Sequence, residues 1–319
     1  MLSRRYLRIR VMQTLYAWYQ SENKSAFQVE QELFKGTDRF YDLYLQVLSF
    51  FTEMSDHEEI YYADVQASAV TGKKKEAVRL LKDNIFINWL SGNSRLKDLT
   101  VKRKLSWQVD IDVLQKSFFK LRQSDVYKTY SNSGNADTET DLQFCRELYK
   151  MLVQRNELVS SILEEKNIYW AEGLNIVHDL IFKTIESGQT ENFKLLPLYR
   201  DEEEDIEFMK LLVNKTIRDD VYFNDLISSK TENWDADRIA LVDIILMKMA
   251  LCEILNIAAI PIKVSINEYI DISKDYSTPN SKGFINGVID KLVIQLKEEG
   301  KILKTGKGLM EGVARKEKN

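Results

Sequence analysis

Apolar residues recur at intervals of three and four along most of this chain, which is the spacing of one face of an α-helix. The first such stretch predicts a helix over residues 3–19. Its main apolar positions are Leu7, Val11, Leu15 and Trp18. A second stretch, residues 236–255, is apolar on nearly every side, which is typical of a helix at the centre of a bundle. The pattern as a whole predicts an all-α fold.

The same periodicity predicts several helices between these two. They span residues 40–62, 73–90, 111–130, 142–163 and 171–185. Residues 131–140 have loop composition and are the best candidate for a linker. The tail 300–319 is rich in Lys and Gly and lacks periodicity, so it is expected to be flexible. Only 3 prolines and 12 glycines occur in 319 residues, which favours helices over a turn-rich β architecture.

An internal repeat is one interpretation of this region, because a shift of 64 residues aligns 141–185 with 205–249 without a gap. The identical pairs are Asp141/Asp205, Phe144/Phe208, Leu148/Leu212, Lys166/Lys230, Trp170/Trp234, Asp179/Asp243 and Ile181/Ile245. Chance similarity between two helical hairpins of like composition explains the same identities equally well. A true duplication would make the middle of the chain a degenerate copy of its C-terminal part.

Charge changes the picture more than overall composition does. The chain is 44% hydrophobic and 29% charged, as in ordinary globular proteins, and its net charge of −4 does not predict a nucleic-acid binder. However, four arginines fall within residues 1–10, and six carboxylates fall within residues 201–207. Such segregation can create a local basic patch on an acidic protein.

Little in the sequence favours catalysis. His57 and His178 are not in metal-ligand spacing, and no glycine-rich phosphate loop occurs, so neither a cofactor nor a metal is expected. Cys145 and Cys252 lie in apolar helical patterns that are typical of reduced core thiols. No apolar run is long enough to cross a membrane and no secretory signal is recognisable, so we expect a cytoplasmic protein.

Three blocks of sequence, in the right order, resemble the NusB family of bacterial transcription antitermination factors. They are RRYLRIRVMQTLYAW from residue 4, DRIALVDIILMKMALCEIL from residue 237, and PIKVSINEYIDISK with FINGVIDKL between residues 261 and 292. The resemblance implies a NusB-like helical bundle made of residues 1–24 and 203–299. An additional helical region, residues 25–202, would then be inserted after the first helix.

By this resemblance, the arginine-rich first helix binds the single-stranded boxA element of ribosomal RNA transcripts. Arg4, Arg5 and Arg8 occupy the family's arginine positions, and guanidinium groups suit phosphate oxygens. The other candidate contacts on this helix are Arg10, Gln13 and Tyr16. Tyr6 stands where the family often has a third arginine, and it could stack on a base or weaken binding. A solvated basic terminus, and a core position for Tyr16, are the alternatives.

The loop before FINGVIDKL is the family's other RNA-facing element. Its candidate contacts here are Asn280, Ser281, Lys282 and Phe284. A lysine can meet a phosphate, and the amide and hydroxyl can bond base edges. Phe284 also fits an apolar helical stripe and so a core position. Gly283 replaces a residue that is often basic in the family. Nearby, Ser265 and Glu268 have capping-box spacing, and Gly287 is compatible with a close backbone approach.

The family's protein partner is the ribosomal protein NusE, with which it joins the antitermination complex on RNA polymerase. Glu253 resembles part of the NusE docking surface, although a solvated carboxylate at a helix end is equally compatible with the sequence. A second basic group either extends the RNA path or forms a solvated helix face. It consists of Arg95, Lys97, Lys102, Arg103 and Lys104, near Trp107.

Two other functions fit parts of this sequence. The bundle could be a protein-interaction module without specific RNA binding, if the insertion covers or replaces the RNA surface. NusB-like domains also occur fused to RNA cytosine methyltransferases, but that activity needs a nucleophilic cysteine after a proline. Neither Cys145 nor Cys252 follows one.

Overall fold

The computed structural model describes residues 1–21, 25–67, 78–134, 137–171, 173–190, 192–231 and 239–309. Across these ranges the chain forms helices and contains no strand, which confirms the predicted all-α class. The α-helices are α1 (Arg4–Tyr19), α2 (Ala26–Ala67), α3 (Ile85–Gly92), α4 (Ser94–Arg103), α5 (Ile111–Gln123), α6 (Asp125–Ser131), α7 (Thr138–Tyr149), α8 (Glu157–Lys166), α9 (Leu174–Glu186), α10 (Glu202–Arg218), α11 (Asp220–Thr231), α12 (Leu241–Asn256), α13 (Ile262–Tyr276) and α14 (Ser281–Glu298).

Several predicted helix boundaries were wrong because side-chain caps interrupt an apolar pattern that periodicity reads as continuous. The stretch 111–130 is two helices, since the Ser124 hydroxyl accepts a hydrogen bond from the Tyr127 N–H and starts α6. Asn84 likewise starts α3 by accepting from the Phe86 and Ile87 N–H groups. The helix predicted over 73–90 therefore begins only at Ile85 apart from a short 3₁₀ turn, and residues 73–77 lie outside the described residues.

Contacts within the chain divide it into two compact units. The terminal unit comprises Leu2–Lys35 and Tyr199–Asn319, and the middle unit comprises Gly36–Leu198 together with Met1. Residues 25–35 and 199–202 thus belong with the termini, whereas the sequence placed them in the insertion. The assignment of residues 1–24 and 203–299 to a NusB-like bundle, and of 25–202 to an inserted domain, stays a prediction.

The terminal unit is built around α12. This helix packs against α1, α10, α11, α13 and α14, and most of its side chains are fully buried. Because an apolar surface surrounds the helix on nearly all sides, burial within a bundle is the arrangement that removes it from water. The central position predicted from residues 236–255 is therefore correct. Cys252 lies in this core, and its burial raises the thiol pKa to about 12, as expected for a reduced core cysteine.

The acidic run before residue 207 has a structural explanation. Asp201 caps α10 by accepting a hydrogen bond from the Glu204 N–H, and the next four acidic side chains occupy the first turn. Carboxylates at this position stabilise a helix, because they face the positive end of its dipole. This run therefore starts α10 and also supplies acidic groups to the surface described below.

The sequence predicts a flexible tail over residues 300–319. The first residues of this tail are held against the terminal unit. The Thr305 N–H donates to the Ala258 carbonyl at 3.1 Å, and the Lys304 ammonium donates to the Ile257 carbonyl at 2.9 Å. That part of the prediction was wrong, because periodicity does not register an extended segment tied by backbone bonds. Residues 310–319 lie outside the described residues.

Under the 64-residue shift, α7 of the middle unit aligns with α10 of the terminal unit, and these two helices match best. Asp141 is buried and pairs with Arg79 at 2.7 Å, as Asp205 is buried and pairs with Arg4 at 3.0 Å. Phe144 and Phe208, which follow one turn later, are both buried. The shift fails at Asp179, which is exposed while its counterpart Asp243 is buried, and Trp234 lies outside the described residues. The duplication therefore stays a prediction.

Candidate nucleic-acid interface

The arginine-rich end of α1 is anchored by its cap and by packing. The Ser3 hydroxyl accepts from the Tyr6 N–H at 3.2 Å, and the helix packs against α10, α12 and α13. Tyr6 itself is buried, so base stacking on this ring is excluded in the present conformation. The arginines at this end emerge beside the first turn of α10 and the middle of α13, which carry several carboxylates.

Arg8 lies in the core rather than on the surface. Its Nε and Nη2 atoms each donate to a different carboxylate oxygen of Glu253 at 2.8 Å. Ser265 and Tyr269 donate their hydroxyls to the same carboxylate at 2.7 and 2.9 Å. Arg8 is 3% exposed and Glu253 is 0% exposed. Burial opposes the charge of Arg8, but the bonds and the charge of Glu253 raise its pKa above the usual value.

This network corrects three expectations from sequence. Arg8 has no surface for a phosphate, and Glu253 is neither a solvated carboxylate nor an accessible docking residue. The capping box is absent, because α13 starts at Ile262 after Pro261 and Ser265 bonds Glu253 instead. The physical reason is the same in each case. A bidentate ion pair can be buried only when both carboxylate oxygens are satisfied, so Arg8 and Ser265 are both drawn to Glu253. The spacing of residues along one helix does not indicate a bonding partner on another helix.

Arg4 and Arg5 remain at the surface, although both have acidic partners. Arg4 bonds Asp205 at 3.0 Å and Glu204 at 3.1 Å, and its guanidinium lies 4.6 Å from the centre of the Phe208 ring. Arg5 donates to both oxygens of Glu268 at 3.1 Å and to Asp271 at 2.9 Å. Their side chains are 37% and 45% exposed. Both guanidinium groups are thus fixed in position while keeping a face open to solvent.

A groove of about 1270 Å³ runs along this end of the terminal unit. Three arginines, Arg4, Arg5 and Arg200, line it together with the carboxylates of Glu204, Glu207 and Glu268. Its apolar side consists of Phe208, Leu211, Ile260 and Pro261. Arg200 is exposed, and sequence analysis missed it. The sequence signal for this site was a single arginine directly before the acidic run. Counting the charges of that run concealed it.

The remaining α1 candidates differ in accessibility. Arg10 is nearly buried, and its Nη1 atom donates to the Gln13 side-chain oxygen at 2.6 Å. Gln13 is half-buried, while Tyr16 is 41% exposed. The core position that the helical wheel allowed for Tyr16 was therefore wrong. Whether Arg10, Gln13 or Tyr16 contacts RNA stays a prediction.

The second predicted RNA-facing element is shorter than expected, because α13 ends at Tyr276 and α14 begins at Ser281. Asn280 and Lys282 are exposed, and Phe284 is half-buried. Ser281 is buried, and its hydroxyl donates to Asp243 at 2.7 Å. That bond ties the start of α14 to α12, so it argues against contact between Ser281 and RNA.

A smaller, polar cleft of about 530 Å³ separates α13 from α14. Its lining residues are Asn267, Ile270, Asp271, Lys274, Lys282, Gly283 and Asn286. Glu268 lines the groove, Asp271 lines the cleft, and Arg5 bonds both carboxylates. A hydrogen bond from Lys274 lowers the pKa of Asp271, and the charge of Arg5 adds to this effect. The Arg5 guanidinium thus stands at the wall shared by the two depressions.

The second basic group, in the middle unit, does not form one continuous patch. Arg103 bonds Asp38 at 2.9 Å and Asp42 at 2.6 Å. Trp107 is fully buried and donates its indole N–H to the Gln46 carbonyl at 2.9 Å. The other four basic side chains, Arg95, Lys97, Lys102 and Lys104, are exposed. This arrangement fits a solvated helix face better than an RNA path.

No group of three or more His, Cys, Asp or Glu side chains is placed to hold a metal ion in the part of the chain that the structure describes. None of the described helices is long and apolar enough to span a membrane.

Comparison with known proteins finds similarity in the C-terminal part of the chain. Residues 174–293 match the model of the NusB family. A protein of Salinibacter ruber called transcription antitermination protein NusB is 39% identical over 104 residues, which is 33% of this chain and 65% of that protein. Proteins of the same name from Chloroherpeton thalassium and Natranaerobius thermophilus are 37% and 34% identical, over 35% and 28% of this chain and 53% and 65% of their own lengths.

The aligned stretches cover less than two thirds of each of these relatives. No solved structure matches this chain significantly. The family match starts inside α9, which belongs to the middle unit, and it does not include α1. Residues 174–293 are therefore similar to the NusB family, within a chain that is longer than the relatives it matches.

Proposed function

We propose that this protein is an RNA-binding transcription antitermination factor that recognises single-stranded boxA-type RNA. The observation that carries the proposal is the groove in the terminal unit, where Arg4, Arg5 and Arg200 present guanidinium groups at the surface. Lys282 lies in the adjoining cleft. The relatives named above are antitermination proteins, and their similarity supports the same role here.

Binding would proceed by exchange of carboxylate partners for phosphates. Exposed ion pairs contribute roughly 0–1 kcal/mol each, because water screens them, so releasing Arg4 from Glu204 or Arg5 from Asp271 costs little. A phosphate also offers two oxygens that accept the paired N–H bonds of a guanidinium, and RNA binding adds the entropy of released counterions. The carboxylates also repel RNA that is misplaced, so they favour one path for the strand. The mechanism is equilibrium binding and involves no chemical step.

A ribosomal protein of the NusE type is the proposed protein partner, within the antitermination complex on RNA polymerase. Since Glu253 is buried, docking would use exposed residues around it. The apolar side of the groove, next to the half-exposed Val264, is the candidate surface. Arg8 and Glu253 would support this surface from beneath by holding α1, α12 and α13 together.

The test is a titration of boxA-type RNA against a scrambled RNA of equal composition, with and without the NusE partner. The proposal expects preference for the boxA-type sequence and tighter binding when the partner is present. Equal affinity for both RNAs, or no binding even with the partner, would overturn it.

A protein-interaction module without specific RNA binding is the second candidate. It is favoured by the ion pairs that already occupy Arg4 and Arg5, and by the apolar side of the groove. The same titration separates the two functions, because this module would bind the partner while failing to distinguish the RNAs.

A further inference from the structure

The cleft between α13 and α14 has features that a phosphate-binding surface alone does not need. Two lysines, Lys274 and Lys282, stand at its edges, and two asparagine amides, Asn267 and Asn286, line it. Its volume of about 530 Å³ is within the range of pockets that hold a small organic ligand. Ile270 supplies the one aliphatic side chain of the lining. The cleft is thus polar, cationic at its rim and large enough for one nucleotide.

The charges that line this cleft favour a phosphate at Lys282, at the start of α14. Asp271 accepts bonds from Lys274 at 2.5 Å and from Arg5 at 2.9 Å, and Arg5 also bonds Glu268, so two cations balance two carboxylates here. Lys282 is exposed and adds a third positive charge. The balance favours an anion at this rim, at the point where Arg5 connects the cleft to the groove.

The side-chain amides of Asn267 and Asn286 are suited to recognise a base by hydrogen bonds. An asparagine side chain both donates and accepts, so it can pair with a base edge that does the same. Asn286 is positioned by its Nδ2 atom, which donates to Asp290 at 3.0 Å, and Asn267 is exposed on the opposite helix. The two amides therefore face one space from two rigid helices.

Gly283 keeps this space open. A Cβ atom built at Gly283 would meet nothing within 4 Å, and the residue lines the cleft. It also belongs to the first turn of α14, where backbone N–H groups have no partner within the helix. A side chain at this position would extend into the space that a base needs. The absence of a basic residue at 283 thus leaves room for a ligand.

We propose that this cleft binds one unstacked nucleotide of the RNA strand. Lys274 and Lys282 hold its flanking phosphates, and Asn267 and Asn286 bond the edge of its base. The inference rests on the proposed RNA binding and adds the part of the site that reads sequence, whereas the arginine groove mainly holds the strand.

The test fills the cleft and uses a matched control one turn away on the same helix. Gly283→Leu places a side chain in the cleft. Gly287→Leu makes the same change at another α14 glycine whose Cβ would also meet nothing within 4 Å, but which does not line the cleft. Both proteins would be titrated with boxA-type RNA and with a set of RNAs that each lack one base. Thermal unfolding would verify that both variants keep the fold.

For the unaltered protein, loss of one particular base should weaken binding about tenfold, in line with one good pair of hydrogen bonds. Gly283→Leu should bind intact RNA about tenfold more weakly and should become insensitive to loss of that base. Gly287→Leu should retain the affinity and the sensitivity of the unaltered protein. Asn267→Ala should reduce the penalty at the same base, since it removes one of the two amides.

The nucleotide pocket is overturned if Gly283→Leu and Gly287→Leu bind every RNA alike while RNA binding itself persists. In that case the arginine groove would still stand as the RNA surface. Absence of RNA binding by the unaltered protein overturns the proposed function and the pocket together, so the two failures are distinguishable.

Discussion

Arg8 and Glu253 form a buried bidentate ion pair, with both donor–acceptor distances at 2.8 Å, which joins α1 to the central helix of the terminal unit. Removing one member leaves an uncompensated charge in the core, where water cannot solvate it. Arg8→Ala should therefore lower the free energy of unfolding by about 3–5 kcal/mol. Urea denaturation followed by circular dichroism measures this change.

The matched comparison is Arg5→Ala, on the same helix but with a half-exposed guanidinium. It should lower stability by about 1 kcal/mol or less, because solvent screens its ion pairs. Equal effects of the two substitutions would contradict the assignment of Arg8 to the core. For the same reason, loss of RNA binding in Arg8→Ala would reflect unfolding rather than a missing contact.

In the middle unit, a buried carboxyl should make stability depend on pH. Burial raises the pKa of Glu58 to about 7, although hydrogen bonds from Tyr127 and from the Leu81 N–H partly offset this. The native state therefore binds a proton more tightly than the unfolded chain, whose carboxyl has a pKa near 4.5. Stability should fall by up to about 3 kcal/mol as the pH rises from about 4.5 to 7.

The measurement is urea denaturation across this pH range for the unaltered protein and for Glu58→Gln. The amide cannot ionise, but it can still accept from Leu81 and bond the Tyr127 hydroxyl. The difference in stability between the two proteins isolates Glu58 from other titrating groups. A difference that stays constant between pH 4.5 and 7 would show that the carboxyl is not buried as described.

Two glycines should respond in opposite ways to a methyl group. A Cβ at Gly287 meets nothing within 4 Å, so Gly287→Ala should stabilise the protein by about 0.5–1 kcal/mol through helix propensity. A Cβ at Gly173 would lie 2.9 Å from the Phe40 ring, so Gly173→Ala should destabilise it. Thermal unfolding of both variants tests the pair. The close backbone approach that the sequence allowed at Gly287 is absent.

The sequence predicted the all-α class, the first helix and the central helix, because each rests on a periodic apolar pattern. It failed where two distant segments share a bond. Glu253 looked like a helix-end carboxylate, since nothing near it in sequence indicates Arg8 as its partner. Ser281 looked like a loop hydroxyl, since its acceptor Asp243 lies 38 residues earlier. Arg200 was missed because a charge count averages it with the acidic residues that follow.

The ion pairs around Arg5 predict that some acidic residues weaken RNA binding. Asp271 lies beside the proposed RNA path and holds both Arg5 and Lys274. Asp271→Asn keeps the shape of the side chain but releases these cations, so it should tighten binding of boxA-type RNA severalfold. Fluorescence anisotropy measures the change, with Asp225→Asn as the control, because Asp225 is exposed on α11 and lines neither the groove nor the cleft. Weaker binding by Asp271→Asn would mean that Asp271 instead positions Arg5 for RNA.

The most direct test of the RNA surface is the salt dependence of boxA-type RNA binding by Arg5→Ala and by Lys291→Ala. Both substitutions remove one exposed positive charge from the terminal unit, but Lys291 lines neither the groove nor the cleft. Arg5→Ala should weaken binding and reduce the slope of log K against log salt concentration by about 0.7. Lys291→Ala should leave both quantities unchanged. Identical slopes for the two variants would contradict the placement of the RNA strand at Arg5.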